Sequence, residues 1–373
     1  MAPSPADFLA RSLQLNPSQA ALLERYGFDA DCFARLQARL RSGDFELAAN
    51  RVRGPVTAPE AADWQSWPTV DGDLRTRGEA AIAAGQVAVA VLNGGMATRF
   101  GGRVKGVVEA LPNYSFLRLK LQEIRAWGPQ VPVFLMNSFA TEADTAAHLR
   151  DHDGFGLAPE QLHSFSQGIS LRLCPEGSLF RDAQGNVSPY APGHGDLLGA
   201  LAATPGFARF VAQGGHTVLV SNVDNLGAGL DPLGIGVHLA AARPVTVEVA
   251  RRAAGDTGGA PVHYQDRVQI LEAFRLPLDF DASALPIFNT NTFVLDIAVV
   301  QNYPLTWFRA DKSVAGAPVV QFERLLGELT GFAPTTYLEV PRDGAQSRFL
   351  PVKVPADLAT VAPLLRTRFG LPA

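Results

Sequence analysis

The sequence predicts an α/β fold with a mixed, mainly parallel sheet, preceded by a helical N-terminal region, and three observations carry that expectation. Residues 87–92, VAVAVL, form a short apolar run rich in β-branched residues, the pattern of a strand buried on both faces. The run ends abruptly in Asn93-Gly94-Gly95 and opens a loop holding Gly101, Gly102, Arg99, Arg103 and Lys105. Strand and helix patterns then alternate, which implies parallel strands joined by right-handed crossovers.

Taken in chain order, residues 1–80 read as a helical N-terminal region and 81–373 as the main α/β domain. Asn16-Pro17 supplies a cap and a proline at the first helical position, and Phe33, Leu36 and Leu40 follow helical spacing. Beyond the glycine loop, Leu117, Leu121 and Ile124 mark one face of a helix that Gly128 can stop. VPVFLMNSF (131–139) is a second buried strand, delivering Asn137 and Ser138 to its carboxyl end. Thr141 and Asp144 read as a capping-box pair. A short strand near 163–167 carries Gln167, and Pro-Gly-His-Gly-Asp (192–196) precedes an apolar helix. The strand at 218–220 ends in Ser-Asn-Val-Asp-Asn, VTVEVARR (245–252) alternates, and the stretch to residue 272 reads as a hairpin. IFNTNTFVLDI (287–297) is a further strand, and VVQFERLLGEL (319–329) reads as a strand or the start of a helix.

Composition narrows the function. With 47% hydrophobic and 18% charged residues, the chain can bury a sizeable core. A net charge of −4 without a basic block argues against a nucleic-acid partner, so anions would be held by a few local cations. No apolar run is long enough to span a bilayer, so no membrane partner is expected. Two cysteines, Cys32 and Cys174, fit no metal-ligand spacing. With no leader-like start, these features read as cytoplasmic.

A glycine loop at the carboxyl end of a buried strand lets backbone N–H groups approach phosphate oxygens. The ATP-type P-loop is excluded because Lys105 is followed by Gly106, and GxGxxG is missing. Arg99, Arg103 and Lys105 together suit an extended polyphosphate. Asp224, at the edge of the sheet, is either a Mg²⁺ ligand shared with phosphates or the cap of the next helix. His194, flanked by glycines, is either a surface or core residue or one approached by a ligand. Strand alternation sends Asn289 and Asn291 to one side, where two amides can face a polyhydroxylated ring.

The motifs LNGG, MNSF, PGHGD, SNVDN, FNTN and FLPVK occur in that order, and between them the chain over residues 87–361 resembles the UDP-glucose pyrophosphorylase (UTP–glucose-1-phosphate uridylyltransferase) family. The resemblance implies a Rossmann-like nucleotidyltransferase domain making UDP-glucose and pyrophosphate from UTP and glucose 1-phosphate with Mg²⁺. It implies nucleotide binding by Leu92, Asn93, Gly94, Gly95, Asn137, Gln167 and Gly193, with Gln167 reading uracil. It places His194, Asn222, Asn225, Gly259, Glu272, Phe288, Asn289 and Asn291 on the sugar phosphate. Arg99, Lys105 and Lys353 become catalytic cations and Asp224 the metal ligand. Ala97, Val104 and the spacing at Gly101-Gly102 depart from the family pattern. The twelve residues after Val361 leave little room for the C-terminal β-helix domain of eukaryotic members. Two alternatives stand beside this reading: a uridylyltransferase for galactose or N-acetylglucosamine 1-phosphate, and a catalytically weak UDP-sugar-binding regulatory protein.

Overall fold

The computed structural model describes residues 13–372 apart from 70, 98, 99, 254, 257 and 304. Its centre is an eight-stranded sheet: β1 (Gln65–Ser66), β2 (Val87–Leu92), β3 (Val133–Asn137), β4 (Leu162–Ser166), β5 (Thr217–Asn222), β6 (Val245–Arg251), β7 (Ile287–Asp296) and β8 (Thr335–Glu339). The order across the sheet is β1-β8-β6-β7-β5-β2-β3-β4. Neighbours run parallel except β7, which is antiparallel to both β5 and β6. The carboxyl ends of β2, β3, β4 and β5 therefore open on one edge, and the amino end of β7 joins them there.

All six residues of β2 are buried, as its composition requires. Val87, Val89 and Val91 face a layer containing Leu117, Leu121 and Ile124 of the helix Phe116–Arg125. Ala88, Ala90 and Leu92 face the other layer, with Leu197, Leu201, Phe207 and Phe210. The small alanines leave room for Phe134, which meets Phe207 and Phe210 edge-on at ring distances of 5.8 and 6.3 Å. Each buried Val or Leu contributes about 1.5–3 kcal/mol, so this strand is firmly held.

The helix Pro17–Arg25 starts as expected, with Asn16 and Gln19 in a reciprocal capping box. The helix Ala30–Arg41 buries Phe33, Leu36 and Leu40. They pack against Leu171, Leu173, Val320 and Phe322, which lie outside the main sheet. Residue 80 is not a boundary between the helical region and the sheet, contrary to the sequence expectation. Residues 65–66 already extend the central sheet beside β8, and the helix Gly72–Ala83 packs on the helix Pro232–Ala241. Two exposed polar residues supply β1, so no apolar pattern announced it.

Thr141 precedes the helix Glu142–Asp151 but does not cap it through its side chain. Its Oγ1 instead accepts the Ser138 N–H at 2.9 Å, tightening the turn after β3. The 319–329 segment divides into a strand, Ala317–Glu323, and a 3₁₀ turn, Leu326–Gly331. Among the described residues no helix is long and apolar enough to cross a membrane.

Candidate active site

The loop after β2 rests on a ladder of buried amides. Asn93 is completely buried, and its Nδ2 donates to Asn137 Oδ1 at 2.8 Å and to Thr145 Oγ1 at 2.9 Å. Asn137 Nδ2 donates in turn to Ser164 Oγ at 2.8 Å. The ends of β2, β3 and β4 are thereby tied at one level. Asn93 and Asn137, expected on the nucleotide, support the loop from beneath: both polar atoms of the Asn137 amide are bonded, while Asn93 Oδ1 has no bond among the described residues. Leaving such a buried group unpaired costs about 1–3 kcal/mol.

Above the ladder lies a cavity of about 330 Å³ at the carboxyl edge of the sheet. Leu92, Gly94, Gly95, Gln167, Gly193 and His194 line one part of it. Lys105, Asn222 and Asp224 line the rest with Met136, Ala191 and Val223. Gly94 is required by close approach, since a Cβ there would lie 2.3 Å from Gln167 Nε2. Gln167 is only 5% exposed, and its buried Oε1 has no hydrogen-bond partner among the described residues. The residue lines the cavity, and an amide oxygen without a bond is an unused acceptor there.

Gly193 adopts φ +97°, which turns the chain so that His194 reaches the cavity. The Leu326 N–H donates to His194 Nδ1 at 3.0 Å, so the neutral ring carries its proton on Nε2. Burial holds this imidazole's pKa down at about 4, with Glu323 opposing the shift. His194 is therefore a neutral donor at physiological pH.

Lys105 Nζ stands 3.9 Å from Asp224 Oδ2, donates to the Val352 carbonyl and lies 4.1 Å from the Phe100 ring centre. Burial pushes the Asp224 carboxyl up, while Lys105, and more weakly Lys120 and Lys353, pull it back. Asn225 is corrected from sugar ligand to clamp. It is buried, its Oδ1 accepts the Leu350 N–H at 2.9 Å, and its Nδ2 donates to Arg348 O at 3.3 Å. This stitches the loop after β5 to the FLPVK segment. Lys353 is exposed and does not line the cavity; its backbone N–H donates to Asp357 at 2.6 Å. Arg99 lies outside the described residues.

From Asn222 a hydrogen-bonded chain runs through the residues expected on the sugar. Asn222 Oδ1 accepts from Asn291 Nδ2 at 3.0 Å, and the Asn291 N–H donates to Asn289 Oδ1 at 2.9 Å. The Asn289 N–H donates to Gly259 O at 2.9 Å. Glu272 ends the chain: a Cβ on Gly259 would lie 2.6 Å from its Oε1. Burial raises the Glu272 carboxyl, opposed by Arg275 and then by a bond from the Gly259 backbone. Pleating is not what brings Asn289 and Asn291 together. The register slips between Glu248 and Val249, whose partners are Thr292 and Asn289, and Asn291 sits at φ +60°. Phe288, expected on the sugar, is 2% exposed and packs edge-on to Phe349 at 5.2 Å, within the core.

Two buried charges were not foreseen from the sequence. Lys120, inside the core, donates to Ala228 O at 2.6 Å and Ser221 Oγ at 3.2 Å, and burial lowers its pKa to about 8. Its place on the helical stripe of Leu117 and Ile124 was a signal. Arg348 Nε pairs with buried Glu248 Oε1 at 2.9 Å across 100 positions, which no local pattern records.

The same sheet recurs in solved sugar-nucleotide enzymes. The UDP-glucose phosphorylase of Trypanosoma brucei matches with a TM-score of 0.74 at 24% identity, over 90% of this chain and 76% of that one. The UDP-N-acetylglucosamine pyrophosphorylase of Trypanosoma brucei, in complex with inhibitor, matches at 0.73 with 18% identity, over 97% and 85%. These likenesses show the fold, an α/β architecture shared with those enzymes. Sequence narrows the class further: residues 56–366 match UTP–glucose-1-phosphate uridylyltransferase, and the chain belongs to that family. A member from Solanum tuberosum is 32% identical over 298 residues, 74% of this chain and 61% of that one. One from Astragalus penduliflorus is 29% identical over 374 residues, 94% of this chain and 77% of that one. The chain thus spans about three fifths of the first relative and about three quarters of the second.

Proposed function

We propose that this chain transfers the uridylyl group of UTP to glucose 1-phosphate, releasing pyrophosphate and forming UDP-glucose. The observation that carries the reading is the cavity itself. It gathers a glycine loop, a partnerless buried amide, a neutral histidine donor and a lysine–carboxylate pair from four separate segments.

The sugar phosphate is ionised at neutral pH, so its oxygen attacks the α-phosphorus in line without a protein nucleophile. Gly94 and Gly95 let the nucleotide approach the backbone, and the Gln167 amide, turned toward the base, gives its oxygen to the uracil N3–H. His194 Nε2–H donates to the sugar phosphate as a neutral group. Lys105 offsets charge developing on the α-phosphate, and Lys353 adds a further cation from the rim. Asn222, Asn289 and Asn291 face the hexose.

Mg²⁺ fits this donor set. Among the described residues no group of three His, Cys, Asp or Glu could enclose a metal, whereas Mg²⁺ bound to nucleotides needs only one or two carboxylates. Asp224 would hold it, and the ion would supply charge neutralisation on the phosphates.

The test is pyrophosphate release from UTP across a panel of sugar 1-phosphates, with magnesium omitted as control. Release with glucose 1-phosphate supports the reading; preference for another sugar overturns its substrate. Tight UDP-sugar binding without release from any sugar overturns the enzyme reading. Lys105→Ala is expected to lower kcat by about a hundredfold, the scale of one preorganised electrostatic contact. A near-normal rate removes Lys105 from the mechanism.

A further inference from the structure

We propose that the ion pair between buried Asp196 and half-buried Arg324 is a positioning device that holds Gln167 and His194 in a common frame, and so sets the preference for uracil over cytosine. The proposal rests on the uridylyltransferase reading of the cavity and adds to it two residues that do not line that cavity.

Asp196 is 5% exposed, and both its oxygens are engaged. Oδ2 accepts the Gly168 N–H at 2.8 Å, immediately after Gln167, and Oδ1 pairs with Arg324 Nη2. Gln167 is thus held on both sides, because its own N–H donates to Asn137 O at 2.9 Å. Arg324 then clasps the histidine turn through its backbone. Its N–H donates to Pro192 O at 2.8 Å, and its carbonyl accepts from Gly195 N at 2.9 Å. A Cβ on Gly195 would lie 2.6 Å from the Arg324 carbonyl carbon, so the two segments touch with no space between them. Two residues further on, the Leu326 N–H sets the proton position on His194. The guanidinium also lies 4.5 Å from the Trp307 ring centre.

The physical reason for a clamp lies in the amide. Uracil presents an N3–H beside carbonyl oxygens, while cytosine presents a bare N3 beside an amino group. A glutamine amide can serve either base by turning over. It distinguishes them only where its backbone is held and its amide has little room to turn; here Asp196 holds the next peptide, and Nε2 lies so near Gly94 that a Cβ there would meet it at 2.3 Å. One carboxylate therefore governs both the base end and the histidine end.

The experiment compares UTP and CTP, with glucose 1-phosphate and Mg²⁺, in the full chain and in Asp196→Asn, Arg324→Gln and Arg324→Lys. Steady-state kinetics are read alongside binding of each nucleotide and thermal unfolding. Asn keeps an acceptor for the Gly168 N–H but breaks the ion pair. Asp196→Asn and Arg324→Gln are expected to lower the UTP-over-CTP ratio of kcat/KM about tenfold, the scale of one charge-assisted hydrogen bond, with Arg324→Lys recovering most of it. Variants that fold, lose activity with both nucleotides equally and keep the ratio overturn the clamp and leave the uridylyltransferase reading intact. A wild-type chain that binds and uses UTP and CTP alike overturns both. Should Arg324→Gln fail to fold, the ratio in Arg324→Lys and Asp196→Asn decides.

Discussion

The base wall of the cavity and the amide chain that leads away from it at Asn222, the proposed sugar wall, are built by opposite means. On the base side, parallel strands end at one level and buried amides tie those ends together, so the ligand-facing groups are backbone and one glutamine. On the sugar side, the antiparallel strand β7 departs from its register, and a chain of amides runs from Asn222 through Asn291 and Asn289 to Gly259. The base wall is rigid because its supports lie beneath it. The sugar wall is held by its own members, each amide positioning the next. Damage to the first should disturb nucleotide geometry, while damage to the second should act on the sugar alone.

The largest effect should come from the base wall. In Gly94→Ala the new methyl would displace Gln167 Nε2, lying 2.3 Å from it. We expect kcat/KM for UTP to fall on the order of a hundredfold, the cost of misplacing a reactant by about 1 Å. Gly95→Ala is its control, since nothing lies within 4 Å of a Cβ there. Equal stability but lost activity in that control would locate the crowding in the ligand. An unchanged KM for UTP in Gly94→Ala would break the contrast between the walls.

The sugar wall should respond more mildly. Asn291→Gly removes the bond to Asn222 without straining the φ +60° backbone. KM for glucose 1-phosphate should rise about tenfold, with KM for UTP nearly unchanged, as for one hydrogen bond. Asn291→Ala should add about 1 kcal/mol of instability from its left-handed conformation. Parallel changes in both KM values would show that the walls are mechanically one.

The smallest effect concerns the turn joining them. Leu326 meets His194, and Glu328 is buried two residues later against Arg275 at 2.9 Å. Burial pushes the Glu328 carboxyl up to about 7 from 4.5, with Arg275 opposing. Because the folded chain favours the protonated form, its stabilising contribution is complete below about 4.5 and is lost as pH rises through about 7. Glu328→Gln lacks this titration. Urea unfolding should therefore show the variant gaining on the wild type between about pH 5 and about pH 8, and a constant difference would remove Glu328 from the pH dependence. His194 works in the opposite sense. Depressed to about 4, it costs stability as pH falls from 6.5 toward that value.

Much of the cavity's frame was legible because parallel strands buried on both faces must be contiguous apolar runs, and the loops at their ends must be contiguous too. VAVAVL followed by Asn-Gly-Gly, and SNVDN after the β5 run, declared where the edge of the sheet would open. Gln167, His194, Lys105 and Asp224, read from short motifs, do share one cavity. What a motif could not say is which way each polar side chain is engaged. Asn93, Asn137 and Asn225 have the same chemistry as Asn222, yet the first three bond to buried neighbours and, of the four, only Asn222 lines the cavity. Phe288 went to the core because Phe349 arrives from a distant segment. β1 joined the sheet through backbone bonds to β8, which leave no trace in residue type. The sequence by itself determined the buried strands and the glycine turns, since those depend on hydrophobicity and backbone freedom at neighbouring positions. Tertiary structure alone decided the partners of each amide and charge, Asp196 with Arg324 among them, because hydrogen bonds are short and directional and their partners come from distant parts of the chain.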